Sequence, residues 1–415
     1  MSSRLKLKAA IYVVTFCQFV VPVIADTSDA EVPQFGGPSS VGGTLNDDSG
    51  DGLTDPTYRS EGLRNTLPGW FSFKQMLVAD YGLSLSFDYQ ALGQTASTSL
   101  GDKSAAGGIF RAYGSWTLTG KESGNTGTLV FKVENRHRLG TDVAPQNFGF
   151  EAGTLSIPGT MFSDINWGLT NLYWQQRLAD DRVSIVLGQI DVTDFVDVYG
   201  LINPVTSFSN LSFLTSPTIA VPNQGLGAAI GLRLSDNFYS VASFADANGE
   251  AFDPNFKLFK NFETFKSFEI GYTSSPDRTY FDNIHVTFWQ VDKRKKVGVP
   301  SDHGMAFSAS WFFDNRWVPF LRGGVSKGTA ALLDANVSAG LGYFNRYRDL
   351  MGVGIGWGSA ADDTLPDQFT AEAYYRFQVS PNFAVTVDGQ VIANPALNPA
   401  KDAIGLLGIR GRVNM

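Results

Sequence analysis

The stretch Gln368-Phe369-Thr370-Ala371-Glu372-Ala373-Tyr374-Tyr375-Arg376-Phe377-Gln378-Val379 decides the fold of this chain. Phe369, Ala371, Ala373, Tyr375, Phe377 and Val379 fall on one face, and Thr370, Glu372, Tyr374, Arg376 and Gln378 on the other. A period of two marks a strand with one oily and one wet side. Ser380-Pro381-Asn382 then makes a turn. A second run follows, with Phe383, Val385, Val387 and Val391 opposite Thr386, Asp388 and Gln390. The last run, Ala403 to Met415, carries Arg410 and Arg412 two positions apart. In a soluble sheet the oily face would cover a core. Here it is read as facing lipid.

The same period recurs upstream. Leu83, Leu85, Phe87 and Tyr89 alternate with Ser84, Ser86, Asp88 and Gln90, and Phe110 to Leu118 and Leu129 to Arg136 behave alike. Ten further runs lie between 167 and 357, separated by turn clusters such as Ala179-Asp180-Asp181, Ser235-Asp236-Asn237 and Asp314-Asn315-Arg316. The pattern predicts an all-β fold, a transmembrane antiparallel β-barrel of about sixteen strands. Tight links alternate with longer connections near 139–166, 191–225, 247–266 and 293–303, expected as external loops or inward folds. A soluble sandwich would also alternate. Two features weigh against it: the wet face carries full charges in series, and aromatics such as Tyr89, Trp116, Trp317 and Trp357 stand near strand ends, where an interfacial girdle needs them.

Compartment follows from the start of the chain. Arg4, Lys6 and Lys8 precede the apolar run Ala9 to Val23, and small residues lead to a cut at Ala25, so residues 1–25 read as a secretory signal peptide. The single cysteine, Cys17, lies inside it, which leaves the mature chain without disulfide or thiol chemistry. No second apolar run is long enough for a spanning helix. The net charge of −8 speaks against nucleic acid. Residues 26–65 are rich in Gly, Ser, Pro and Asp and read as a flexible segment. Within them Asp47-Asp48-Ser49-Gly50-Asp51-Gly52 resembles the start of a calcium loop. Tyr58 stands where the closing Glu is required, so an acidic linker is the better reading. Leu67 to Tyr81 has helical spacing of Trp70, Phe71, Phe73, Met76 and Leu77, predicting a short amphipathic helix that leads into the first strand, within a barrel domain occupying 66–415.

No chemistry-bearing constellation stands out. His137, His285 and His303 lack metal-ligand spacing, and no nucleophile elbow, phosphate loop or dinucleotide fingerprint is present. No catalytic residue, metal or cofactor is expected. What remains is the wet face. The alternation places Lys132, Glu134, Arg136, Arg138, Arg177, Arg233, Arg322, Glu372, Arg376, Asp388, Gln390, Arg410 and Arg412 on the inward parity. Nine of these, Lys132, Glu134, Arg136, Arg177, Glu372, Arg376, Asp388, Gln390 and Arg410, are the candidate pore-lining residues. Mixed signs along one wall suit a neutral polyhydroxylated solute, because Arg donates to hydroxyls and Glu accepts from them. The alternative for each side chain is that it pairs with a neighbour and stiffens the wall.

These residues resemble the OprB-type carbohydrate-selective outer-membrane porins. The likeness runs from Leu63–Tyr81 to the C-terminus. It is most specific in Leu172-Tyr173-Trp174-Gln175-Gln176-Arg177-Leu178, Val186-Leu187-Gly188-Gln189-Ile190-Asp191, Asp194-Phe195, and Phe208-Ser209-Asn210 with Phe213. It continues in Glu372-Ala373-Tyr374-Tyr375-Arg376, Gln378-Val379-Ser380-Pro381, Asp388-Gly389-Gln390, Asn394-Pro395 and Gly408-Ile409-Arg410. The resemblance implies a sixteen-strand barrel admitting sugars by passive diffusion, with inward loops narrowing the channel and Arg and Glu lining the constriction. It implies a Gram-negative outer membrane, carbohydrate solutes and lipid as partners, and a monomer or homotrimer. Two departures stand: Val387 replaces the usual Pro, and Met415 the usual terminal Phe. The alternatives are a general diffusion porin, a barrel hydrolase acting on outer-leaflet lipid, and a barrel plugged by the Trp70 segment and the 191–225 loop.

Overall fold

The turn clusters do what their composition predicts. Ala179, Asp180 and Asp181 have φ of 55°, 53° and 64°, and Asp314 and Asn315 have 52° and 49°. Asp and Asn tolerate this left-handed region better than other side chains that carry a Cβ, so they reverse the chain in few residues. In the computed structural model, residues 35–49, 58–121, 123–255 and 258–415 are described, and they belong to one compact unit, Val32–Met415. The expected signal peptide lies outside the described residues.

Sixteen strands close into an antiparallel barrel in sequence order. They are β1 Leu83–Ala96, β2 Ser104–Thr119, β3 Gly127–Arg138, β4 Asn166–Leu178, β5 Val183–Ile190 and β6 Gly225–Arg233. There follow β7 Phe238–Asp246, β8 Thr264–Thr273, β9 Asn283–Val291, β10 Asp302–Ser310 and β11 Trp317–Ser326. The last are β12 Leu333–Phe344, β13 Leu350–Ala360, β14 Gln368–Ser380, β15 Phe383–Ala393 and β16 Ala403–Asn414. Closure joins β1 to β16 with Gln90 opposite Arg412 and Leu92 opposite Arg410. Met415 extends the seam, exchanging backbone hydrogen bonds of 2.8 and 2.9 Å with Phe87. No sheet edge is left unpaired, which a hydrocarbon environment demands.

The parity read from the sequence holds. In β14, Thr370, Glu372, Tyr374 and Arg376 are buried while Phe369, Ala373 and Phe377 are exposed. Large apolar side chains project outward on strand after strand, including Ile355 (68% exposed), Leu407 (67%) and Ile409 (59%). Transmembrane barrels carry an outward apolar band of this kind where they meet hydrocarbon. Ile355 lies mid-strand. Ile355→Lys is therefore expected to destabilise the barrel by about 2–4 kcal/mol, read by urea unfolding in lipid vesicles. An unchanged unfolding midpoint would place that face elsewhere. Phe377 is a poorer probe, because it lies near the rim and carries Arg59 at 4.1 Å over its ring.

Before β1, two short helices, α2 (Leu63–Thr66) and α3 (Pro68–Met76), run on into a wider turn, Leu77–Tyr81. Trp70 packs against Phe87 at 5.9 Å, and Phe87 is on the outward parity of β1. This amphipathic segment lies on the barrel's outer rim. It does not plug the lumen. The opposite occurs upstream: within the segment 26–65, expected to be flexible, Val41–Ser49 forms helix α1 with Val41 only 1% exposed. The part Phe35–Ser49 departs from that expectation because Asp47 and Asp48 find arginine partners on the inner wall.

Candidate functional site: the loop-lined barrel interior

The inner wall has two halves of different chemistry. From β14 through β16 and β1 to β3 the inward side chains are polar and charged, among them Glu372, Arg376, Asp388, Arg410, Asp88, Arg111, Lys132, Glu134 and Arg136. From β5 to β11 they include Val186, Ala229, Tyr239, Val241, Trp289, Ala306 and Phe320. An apolar inner wall has to be covered, and the connection 191–224 covers it. Val196, Tyr199, Leu201, Phe208, Phe213 and Ile219 of this loop are all buried. Tyr199 meets Phe320 at 5.5 Å, and Phe208 meets Phe213 and Tyr374 at 4.9 Å each. Glycines on the wall leave the room: a Cβ on Gly354 would stand 2.7 Å from the Phe213 ring, and one on Gly342 would stand 2.8 Å from Leu201.

Polar clamps fix the loop near its two ends and at its middle. Asp197, itself at φ 57°, pairs with Arg322 and His285 and accepts from Ser216 N at 2.7 Å, while its own N–H donates to Glu269 at 3.0 Å. On the charged half, Glu372 accepts from the backbone N–H groups of Ser209 (2.7 Å) and Asn210 (3.0 Å). Gln390 donates to Ser209 Oγ at 3.0 Å and accepts from Asn210 Nδ2 at 2.8 Å. Arg410 donates to the carbonyls of Pro204 and Ser207. Three of the nine candidate pore-lining residues, Glu372, Gln390 and Arg410, are thus loop anchors.

The other six divide. Lys132 and Arg136 line a chamber of about 410 Å³, and Glu134 lies between them, 2.5 Å from Arg136 and 3.9 Å from Lys132. Asp388 accepts from Gln390 at 3.0 Å. Arg376 donates to the carbonyl of Arg348 at 3.1 Å. Arg177 stands at the β4–β5 turn, 3.2 Å from Asp181, away from the chamber. The chamber's lining also includes the polar residues Asp191, Asp194, Gln146 and Gln224 and the apolar residues Ile157, Ile202, Leu211, Leu214 and Phe252; Ser39, just ahead of α1, is part of its wall. Burial pushes the Asp194 carboxyl up to about 7; Lys132 opposes the rise and Asp191 adds to it.

Sequence reasoning missed Asp191, Asp194, Asp197, Glu269 and His285 as functional neighbours. The Asp191 and Asp194 positions were visible as part of the resemblance, but nothing local marked them as chamber residues. Asp47 and Asp48, whose sequence context is that of an acidic linker, also belong to the interior, where they pair with Arg348 and Arg412.

A closed sixteen-strand barrel, apolar outside, charged inside and constricted by an inward loop, defines a porin-class channel. Residues 125–415 match the family model described as carbohydrate-selective porin, OprB family, and the chain belongs to that family. Among solved structures, Pseudomonas putida OprB at high pH matches with a TM-score of 0.68 at 15% identity, covering 83% of this chain and 97% of that one. The low-pH structure of the same protein gives 0.51 at 14% identity, covering 86% and 100%. A mutant porin of Rh. blastica gives 0.50 at 11% identity, covering 80% and 100%. These likenesses establish the fold. No curated protein sequence matches the chain.

Proposed function

We propose that this carbohydrate-selective porin passes its solutes through the 410 Å³ chamber, with Lys132, Arg136, Asp191 and Asp194 as the groups that touch them. The observation that carries this reading is the chamber's mixed lining, polar and charged side chains together with apolar ones. Its volume falls in the range of about 300–1,000 Å³ typical of small-molecule sites. Its donors and acceptors suit sugar hydroxyls, and Ile157, Leu211, Leu214 and Phe252 suit the C–H faces of a pyranose. Glu134 offsets one of the two cations, and the Asp191 carboxyl on the same lining faces the other charge, which fits a neutral solute. The setting is the outer membrane of a Gram-negative cell, with lipid on the apolar band and water at both mouths.

Liposome swelling across a series of mono- and disaccharides tests the reading, together with sugar block of single-channel current. Arg136→Ala removes a charged donor worth about 1.5–3 kcal/mol, so the half-blocking sugar concentration should rise about tenfold with potassium chloride conductance changed less than twofold. Conductance of ions with exclusion of every sugar would reduce the chain to a general porin. Unchanged sugar block in Arg136→Ala would move the route elsewhere.

A further inference from the structure

Asp47 and Asp48 sit among guanidinium groups in a way the channel reading does not use. Asp48 Oδ1 lies 2.8 Å from Arg412, and Asp47 lies 3.5 Å from Arg412 and 3.4 Å from Arg348. Asp48 also accepts from Asn414 Nδ2 at 2.8 Å, from Ser86 Oγ at 2.9 Å and from the Tyr113 hydroxyl. Two carboxylates on one short helix therefore fill a cradle made by β1, β2, β16 and the β12–β13 turn.

The wall cannot balance these cations by itself. Asp88 is the wall carboxylate in ion-pair contact with this cradle, and it is shared between Arg111 and Arg412 at 3.1 Å from the latter. Arg348 and Arg412 take their remaining charge balance from α1. Arg376 and Arg410 are 5% and 4% exposed, make no ion pair among the described residues, and each has an Nε without a hydrogen-bond partner. Both line a small cavity of about 10 Å³ with Arg412, Gln378 and Thr386. Buried cations left without an anion are strongly unfavourable, so the cluster is built to hold carboxylates, and Asp47 and Asp48 are the ones it holds here.

We propose that Arg348, Arg376 and Arg412 form an anion site in the barrel, that Asp47 and Asp48 occupy it as built-in ligands, and that a carbohydrate bearing a carboxylate competes with them for it. This rests on the channel reading and deepens it: the solutes include acidic sugars, and α1 is their internal competitor. Arg is suited to the role because its planar fork matches a carboxylate in two parallel bonds. The cavity itself has room for about one water, so such a solute enters only as α1 withdraws, when Thr386, Gln378 and Asn414, with Ser86 released from Asp48, face its hydroxyls.

The test compares the full-length protein with the Asp47→Asn, Asp48→Asn double variant in planar bilayers, using glucuronate and glucose as probes. Removing both charges should shift the reversal potential in a potassium chloride gradient toward anions and lower the half-blocking glucuronate concentration about tenfold, with glucose block unchanged. Arg376→Gln in the otherwise native chain should weaken glucuronate block and leave glucose block alone, which keeps the test open if the double variant fails to fold. Equal block by glucuronate and glucose in the native and Arg376→Gln proteins, with sugar flux intact, overturns the anion site and leaves the porin standing. Absence of any sugar flux in the native protein overturns the porin reading and this inference with it.

Discussion

Asp197→Ala is expected to lower stability by about 3–5 kcal/mol, measured by urea unfolding of the protein in detergent. The side chain is fully buried, as are its partners Arg322 and His285. Removing the carboxylate strands the Arg322 guanidinium over the Tyr199 ring at 4.1 Å and leaves Ser216 N without its acceptor. The rest of the network stays in place: Glu269 accepts from Tyr239 at 3.0 Å and from Thr287 at 2.7 Å whether or not Asp197 is present. The loss is thus local to the loop clamp, and single-channel conductance should rise as 191–224 lifts from the wall. Burial alone would raise the Asp197 carboxyl, but Arg322 and His285 outweigh it and hold it below the ordinary range. The stability it lends is present above about pH 4 and is lost as pH falls below that value, so native and variant proteins should converge in acid. A variant within about 0.5 kcal/mol of the native protein would remove Asp197 from this role.

Glu372→Ala should also cost stability, about 2–4 kcal/mol, and should open the channel further. As a solvated wall residue, which the alternation alone suggested, Glu372 would alter conductance with little effect on stability. The loop changes that expectation. Glu372 is 3% exposed and its oxygens satisfy two buried backbone N–H groups, at Ser209 and Asn210. Each donor left unsatisfied costs about 1–3 kcal/mol. Glu372→Gln keeps one good acceptor and should fall between native and alanine proteins in both conductance and unfolding midpoint. Altered conductance with native stability would return Glu372 to the open wall.

Both expectations turn on where a charge ends up rather than which way it points. Direction was legible. Residue alternation is fixed by the backbone between neighbours, so Thr370, Glu372, Tyr374 and Arg376 could be assigned to the inner face from twelve letters of sequence. Turn positions were legible for the same reason, since Ala179-Asp180-Asp181 and Asp314-Asn315 reverse the chain through their own φ angles. The longer connections could be placed but not folded, because 191–224 carries no period.

The sequence by itself determined a sixteen-strand antiparallel barrel, its oily exterior, the inward parity of its charges and its family. Only the tertiary structure decided which inward charges face the chamber, as Lys132 and Arg136 do, and which hold a loop, as Glu372 and Arg410 do. It also decided that Asp47 and Asp48, read as linker, sit among arginines of the wall. The reason is range. Strand faces follow from contacts one and two residues apart, whereas Ser209 reaches Glu372 across 163 positions and Asp48 reaches Arg412 across 364. Such pairings depend on closure of the barrel, which brings them together in space.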